Sequence, residues 1–239
     1  MMRQTLALIP GMLNNASLWD AVAGKLADVA DITIPVFECE SSLAAMADTV
    51  LARAPAGRLA IAGFSMGGWV AQEVVRRAKE RVSRLAFISS GCGPADERER
   101  NAFARANTSD GFDFQASLEK MFPVAVHASR LNDAALRAAA INMWRDVGNA
   151  TYQRQRRAVI DRPDLRAHLR NLDIPVLIAC GRNDQVLPPA LSQELALLVP
   201  HARVVFIEQC GHMTPLERPD EVASLLRQWL DVPEDASYA

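Results

Sequence analysis

A serine flanked by small residues lies at a sharp change of pattern in the chain. Gly63, Ser65 and Gly67 form a G-x-S-x-G motif between an apolar run at residues 59–62 and a helical apolar pattern that begins at Trp69. A strand before this motif and a helix after it are the context of a nucleophile elbow. Residues two before and two after the nucleophile must then be small, because a Cβ there would strike neighbouring backbone. The helix would also place Ser65 at its positive end, where a developing alkoxide is stabilised.

A serine nucleophile needs a general base, and the chain has four histidines. His127 and His168 fall within predicted helices and His201 lies in a turn, so packing or surface roles explain them more simply. His212 comes just after the last predicted strand. Ligands of open α/β sheets bind beyond the carboxyl ends of the strands, where Ser65 is also expected. We therefore predict that His212 is the base.

The base needs a carboxylate to orient it, and Asp184 is the best-placed candidate. It lies four residues after Cys180, in the loop that follows another predicted strand. The loop at residues 89–94 has no carboxylate; Glu208 ends a strand, and Glu217 is expected to start the last helix. The resulting order of nucleophile, acid and base along the chain is the one expected for this kind of sheet.

Backbone amides would complete the site as an oxyanion hole. One donor is the N–H of Met66, which directly follows the nucleophile. The second is expected from the loop after the first strand, where the N–H of Met12 is the best candidate. Gly11 would let that backbone approach a substrate closely.

The elements that must position these residues alternate regularly. Strand and helix patterns follow one another as βαβαβαβ, which predicts a mostly parallel sheet with helices on both faces. The sheet pattern stops near residue 94 and resumes for two more strands at residues 174–180 and 203–207. We predict an α/β core of about six strands, formed by residues 1–93 and 171–239. Residues 94–170 carry only helical patterns and are expected to form a lid inserted after the fourth strand.

Composition narrows the possible partners. The chain has 239 residues, of which 50% are hydrophobic, and a formal net charge of −2, which favours neither nucleic acid nor a membrane surface. The first apolar run is too short for a signal peptide, and four scattered cysteines suggest reduced thiols, so we expect a cytoplasmic protein. No metal-ligand cluster, phosphate loop or dinucleotide fingerprint is present, so no cofactor or metal is expected. The sequence does not address the oligomeric state.

Four motifs in this order resemble the α/β-hydrolase superfamily, in particular its lidded serine esterases and lactonases. They are similar to those of pimeloyl-carrier methyl-ester esterases and 3-oxoadipate enol-lactonases. The motifs are Pro10-Gly11 with Trp19, Gly-Phe-Ser-Met-Gly-Gly at residues 63–68, Cys-Gly-Arg-Asn-Asp with Pro-Pro at residues 180–189, and Gly-His-Met-Thr-Pro-Leu-Glu-Arg-Pro at residues 211–219. The chain departs from the family at Pro10, where a histidine is usual.

The resemblance implies a serine hydrolase that cleaves a carboxylic ester or lactone of a small to medium acyl substrate through an acyl-enzyme. Haloalkane dehalogenases and epoxide hydrolases use a carboxylate at the elbow, so Ser65 argues against both. Carbon–carbon bond hydrolases and cofactor-free perhydrolases keep the same triad and stay open, as does a non-catalytic ligand receptor of this fold.

The predicted lid offers two hints about the substrate. It is mildly basic over an acidic core, which would suit an anionic substrate or carrier, although arginines that only solvate helix surfaces explain the same balance. Its large apolar side chains could line a pocket or form the core of the lid. They are Phe112, Phe114, Met121, Phe122, Met143, Trp144 and Tyr152.

Overall fold

The structure, a computed structural model, describes residues 3–108 and 113–233. The strands in these residues are β1 (Gln4–Ile9), β2 (Ala30–Thr33), β3 (Leu59–Phe64), β4 (Val82–Ile88), β5 (Val176–Gly181) and β6 (Arg203–Ile207). They form one parallel six-stranded sheet in the order β2-β1-β3-β4-β5-β6. The predicted α/β sheet of about six strands is confirmed.

Helices connect these strands and cover the sheet. Those in the described residues are α1 (Asp20–Leu26), α2 (Leu43–Arg53), α3 (Met66–Ala78), α4 (Glu97–Thr108), α5 (Phe114–Ala125), α6 (Ala134–Ile160), α7 (Arg166–Leu169), α8 (Pro189–Leu198), α9 (Thr214–Glu217) and α10 (Pro219–Leu230). Four of them, α4 to α7, lie between β4 and β5 along the chain. None of the described helices combines the length and apolar character needed to cross a membrane.

Both faces of the sheet are buried. Side chains alternate along each strand, so each strand contributes to a core on either face. Leu6 and Leu8 of β1 belong to a core shared with α1 and α10, while Ala7 and Ile9 face a second core shared with α2, α3 and α8. Every residue of β3 is buried, as expected of a central strand in a parallel sheet. The strand that leads to Ser65 is therefore held rigidly on both sides.

The second strand is shorter than the sequence predicts. A strand over residues 32–37 is expected from the apolar run, but β2 ends at Thr33. It is an edge strand that pairs only with β1, and Pro35 has no N–H to donate to a ladder. Residues 34–37 therefore leave the sheet.

Helix α6 consists of two helical segments separated by a kink. Separate helices are expected over residues 133–147 and 151–161, and the division of α6 confirms this expectation. The break between them is confined to Gly148, whose φ of 77° and ψ of 162° are not helical. Glycine adopts a positive φ without a steric penalty, so the chain can change direction within a single residue.

Candidate active site

The turn from β3 into α3 has the strained geometry of a nucleophile elbow. Ser65 has φ 52° and ψ −119°, a combination rare for residues with a side chain, and its N–H donates to the carbonyl of Ile88 at 3.0 Å. A Cβ added to Gly63 would lie 2.3 Å from the carbonyl oxygen of Gly67, and one added to Gly67 would lie 2.4 Å from that of Ile9. Only glycine fits at either position, as predicted from the motif.

Three of the residues chosen from the sequence meet in one hydrogen-bonded chain. The Nε2 atom of His212 lies 3.1 Å from Oγ of Ser65, and its Nδ1 atom lies 2.8 Å from Oδ2 of Asp184. Because a carboxylate only accepts hydrogen bonds, the proton belongs on Nδ1, which leaves the lone pair of Nε2 facing the hydroxyl. Both His212 and Asp184 are buried, and the ring of Phe64 packs 5.0 Å from the imidazole.

The second oxygen of Asp184 fixes the carboxylate in place. Oδ1 accepts the backbone N–H groups of Val186 and Leu187 at 2.9 and 2.8 Å. The Asp184 loop is tied to the His212 loop by the N–H of Asn183, which donates to the carbonyl of Cys210 at 3.0 Å. The distance between Asp184 and His212 is thus set by backbone as well as side-chain contacts.

The loop that carries His212 rests on the end of α5. The backbone N–H groups of His212 and Met213 both donate to the carbonyl of Ala125, at 2.9 and 3.0 Å. A Cβ added to Gly211 would lie 2.6 Å from backbone atoms of Val126 and His127. A helix between β4 and β5 therefore contacts the backbone of His212 directly.

Glu217 has a different place from the one predicted. It ends α9 rather than starting α10, because Pro219 occupies the first turn of α10 and sets where that helix begins. Its side chain is buried and accepts the N–H of Gly211 at 2.9 Å through Oε1 and the N–H of His127 at 2.7 Å through Oε2. Burial raises the pKa of Glu217, and these two N–H donors oppose the rise.

The loop after β1 lies against the elbow. A Cβ added to Gly67 would clash with backbone atoms of Ile9 and Pro10, and a Cβ added to Gly11 would lie 2.9 Å from the ring of Phe64. Met12 follows directly in this loop and is half-buried. On the other side of Ser65, Met66 is the first residue of α3, where backbone N–H groups lack a partner within the helix.

The remaining histidines lie elsewhere. The ring of His127 contacts the Ser129 hydroxyl, His168 is exposed on α7, and His201 bonds the carbonyl of Ile174. His127 also differs from the prediction, because it precedes a short 3₁₀ turn instead of lying within a helix.

Three of the four cysteines are buried and poorly suited to act as nucleophiles. All four are free, and only Cys39 is exposed. Burial raises the pKa of Cys92 to about 12 and that of Cys180 to about 11, and it also raises the pKa of Cys210. These three groups are therefore thiols at neutral pH. In the described part of the chain, no three His, Cys, Asp or Glu side chains cluster in a way that could hold a metal ion.

Several apolar side chains of the predicted lid are core residues. Phe122, Met143 and Trp144 are buried in the core that includes α1 and α10. Phe114 and Tyr152 contact each other, with ring centroids 5.8 Å apart. Phe112 lies outside the described residues. A cavity of about 380 Å³ adjoins the β1 loop, and its lining includes Asn14, Glu38, Asp146 and Arg154.

Comparison with known proteins agrees with this architecture. The family described as alpha/beta hydrolase fold matches residues 38–219. The chain is 26% identical to a pimeloyl-acyl-carrier-protein methyl ester esterase of Nitrosomonas europaea over 237 residues, which cover 92% of each protein. It is 27% identical to the protein of the same name from Aliivibrio salmonicida, over 96% of this chain and 93% of that protein.

Solved structures share the fold at lower identity. A thermophilic esterase from Thermogutta terrifontis has a TM-score of 0.83 at 23% identity, covering 95% of this chain and 89% of its own. The enol-lactonase from Burkholderia xenovorans also has a TM-score of 0.83, at 17% identity, covering 97% and 93%. The family match spans most of the strands and includes both Ser65 and His212. This chain therefore belongs to the alpha/beta hydrolase fold family.

Proposed function

We propose that this protein is a carboxylic ester hydrolase that works through an acyl-enzyme on Ser65. The observation that carries the proposal is the chain of two hydrogen bonds at His212, 3.1 Å to the Ser65 hydroxyl and 2.8 Å to the Asp184 carboxylate. A serine, a histidine and a buried acid in this order can generate an alkoxide-like nucleophile at neutral pH. The esterase names of the relatives support the same reaction.

The reaction has two halves. In the first, Ser65 Oγ attacks the ester carbonyl while Nε2 of His212 takes its proton, and the imidazolium then protonates the departing alcohol. In the second, water attacks the acyl-enzyme with His212 again as base, and the acid product leaves Ser65 free. Asp184 holds the imidazole in the tautomer that presents a lone pair to the hydroxyl, and it stabilises the imidazolium once that forms.

The oxyanion formed in each half is assigned to two backbone amides. Met66 N–H points from the start of α3, and Met12 N–H comes from the loop that packs against the elbow. Amides fixed in this way stabilise the transition state more than the bound ester, because negative charge develops on the carbonyl oxygen only as Ser65 or water attacks. Loss of one such donor typically slows an enzyme by about 10²–10³-fold.

The substrate is proposed as a small-molecule ester or lactone with a small to medium acyl group. We assign residues 94–170 as a lid, a role supported by the contact of Ala125 with the His212 backbone. The relatives' names make a methyl ester of a carrier-bound dicarboxylic acyl chain a substrate worth testing. Four free cysteines suit a reducing compartment, and we propose the cytoplasm.

A substrate panel with a Ser65→Ala control tests the proposal. The panel contains p-nitrophenyl esters of short and long acyl chains, aliphatic methyl esters, lactones and a β-diketone. We expect turnover of esters or lactones that disappears with Ser65→Ala. Turnover of the β-diketone alone would replace ester cleavage with carbon–carbon bond hydrolysis. Equal activity of wild type and Ser65→Ala would overturn the mechanism.

A further inference from the structure

A buried glutamine of α6 joins two loops that are far apart in the sequence. The side chain of Gln155 is only 1% exposed. Its Oε1 accepts the backbone N–H of Leu13 at 2.8 Å, and its Nε2 donates to the carbonyl of Phe37 at 3.1 Å. The first loop follows β1 and the second follows β2, so one amide connects a helix to two loops beyond the sheet.

Both bonds define how the amide must be oriented. Leu13 N–H can only donate and the Phe37 carbonyl can only accept, so the reverse orientation of the amide would satisfy neither. Because the groups are buried, an apolar replacement of Gln155 leaves a backbone donor and a backbone acceptor without partners. Such losses are costly, and the loop can relieve them only by moving.

The Leu13 backbone needs such support. Its φ is 62°, in the left-handed region that residues other than glycine seldom adopt. A local bond from the N–H of Asn14 to the carbonyl of Gly11, 3.2 Å long, closes the turn around it. The bond from Gln155 is the long-range contact that fixes the Leu13 amide. The peptide plane between Met12 and Leu13 is therefore held from α6.

We propose that Gln155 is a positioning residue for the oxyanion hole, and that it makes the Met12 N–H depend on the docking of α6. The proposal rests on the assignment of Met12 in the proposed function. When α6 is docked, the Leu13 amide is held, and with it the turn whose preceding peptide, between Gly11 and Met12, carries the proposed donor. When the bond between Gln155 and Leu13 is absent, the turn relaxes away from the left-handed conformation, and the Met12 N–H loses its alignment with the oxyanion.

The consequence is specific to the transition state. The ground-state ester makes weak use of the oxyanion hole, so loss of Gln155 should lower kcat and leave KM nearly unchanged. A trifluoromethyl ketone reports the same effect at equilibrium. Ser65 Oγ adds to its carbonyl, the serine proton passes to His212, and the ketone oxygen becomes an oxyanion in the hole. Its inhibition constant therefore measures how well the donors are placed.

The test compares Gln155→Met with Gln153→Met. Methionine keeps the length of the side chain and removes both bonds. Gln153 lies on the same helix, and within the described residues its amide hydrogen-bonds only to Asn149 and Arg156 of that helix, so it is a matched control. We expect Gln155→Met to lower kcat and weaken the trifluoromethyl ketone by about 10–100-fold each, part of the loss of a whole donor, while KM changes by less than about threefold.

Gln155→Glu serves as the second variant, because it keeps an acceptor for Leu13 N–H and replaces the donor to Phe37 with an oxygen; it is assayed at a pH low enough to limit the charge on the new carboxyl. It should retain more kcat and more ketone affinity than Gln155→Met. Circular dichroism and thermal unfolding select a temperature at which each variant is folded.

The proposal is overturned if folded Gln155→Met matches Gln153→Met in both kcat and ketone affinity. It is also overturned if kcat falls without a parallel loss of ketone affinity, since that indicates a general structural role. Ser65→Ala separates a failure of the proposed serine mechanism from a failure of the role proposed for Gln155. If Ser65→Ala stays active, the proposed function fails, whatever Gln155 does.

Discussion

The buried carboxylate of Glu217 should stabilise the fold, and the structure gives the sign of its effect on the free energy of unfolding. It accepts backbone N–H groups from Gly211 and His127 at 2.9 and 2.7 Å. Glu217→Ala leaves the buried Gly211 N–H and the partly buried His127 N–H without their acceptor. A buried unpaired donor costs about 1–3 kcal/mol and a partly buried one less, so we expect a loss of about 1–5 kcal/mol in the free energy of unfolding. Glu217→Gln keeps one acceptor and should lose less.

The pH dependence follows from the raised pKa. Burial moves the pKa of Glu217 above its usual value of 4.5, so the folded protein binds this proton more tightly than the unfolded chain. The contribution of Glu217 to the free energy of unfolding therefore rises as the pH falls through the pKa that Glu217 has in the folded protein, towards 4.5. The difference in unfolding free energy between wild type and Glu217→Gln should grow over that interval.

Glu73 supplies a control of opposite sign. It is as buried as Glu217, but hydrogen bonds from Arg76, together with those from Arg77, lower its pKa below 4.5. Its contribution is present above pH 4.5 and is lost as pH falls through the folded pKa. The difference between wild type and Glu73→Gln should therefore shrink below pH 4.5.

Urea unfolding followed by tryptophan fluorescence, from pH 7 to pH 3, gives both differences. A difference between wild type and Glu217→Gln that shrinks as pH falls would contradict a raised pKa for Glu217. Equal stability of Glu217→Ala and wild type at pH 7 would contradict the stabilising role of the carboxylate.

Three further predictions are simpler to check. Asp184→Asn should lower kcat by about 10⁴-fold with an unchanged circular dichroism spectrum, because His212 would lose its tautomer. Gly67→Ala should fail to accumulate as folded protein in expression trials, since its Cβ would lie 2.4 Å from the Ile9 carbonyl oxygen; a soluble variant with wild-type melting temperature would contradict this. In a thiol titration of the native protein, Cys39 should react first and the other three only on unfolding, because they are buried with raised pKa values.

Local patterns in the sequence predict much of this fold. The sequence predicts a strand over residues 203–207 and a proline-started helix over residues 189–198, and β6 and α8 have these bounds. Each pattern is complete within a few residues. The G-x-S-x-G motif likewise contains all the steric requirements of its turn. The predicted parallel sheet brings Asp184 and His212 to one edge, since parallel strands share their carboxyl ends.

Long-range hydrogen bonds are what the sequence does not show. Gln155 lies 142 residues from Leu13, and Glu217 lies 90 residues from His127, so no spacing rule connects them. A faint signal exists in each case. Gln155 is a polar residue on the buried side of α6, and Pro219 already marks the start of α10, which leaves Glu217 outside that helix.

Direct detection of an acyl group on Ser65 is the most decisive test of the account. Wild-type protein is mixed with a p-nitrophenyl ester, quenched in acid within milliseconds, and examined by intact-mass and peptide-mass spectrometry. We predict a transient mass increase equal to the acyl group, located on the peptide that carries Ser65, absent from Ser65→Ala and longer-lived in His212→Ala loaded with a fast-acylating ester. Rapid hydrolysis with no adduct on Ser65, or an adduct on another residue, would contradict the account.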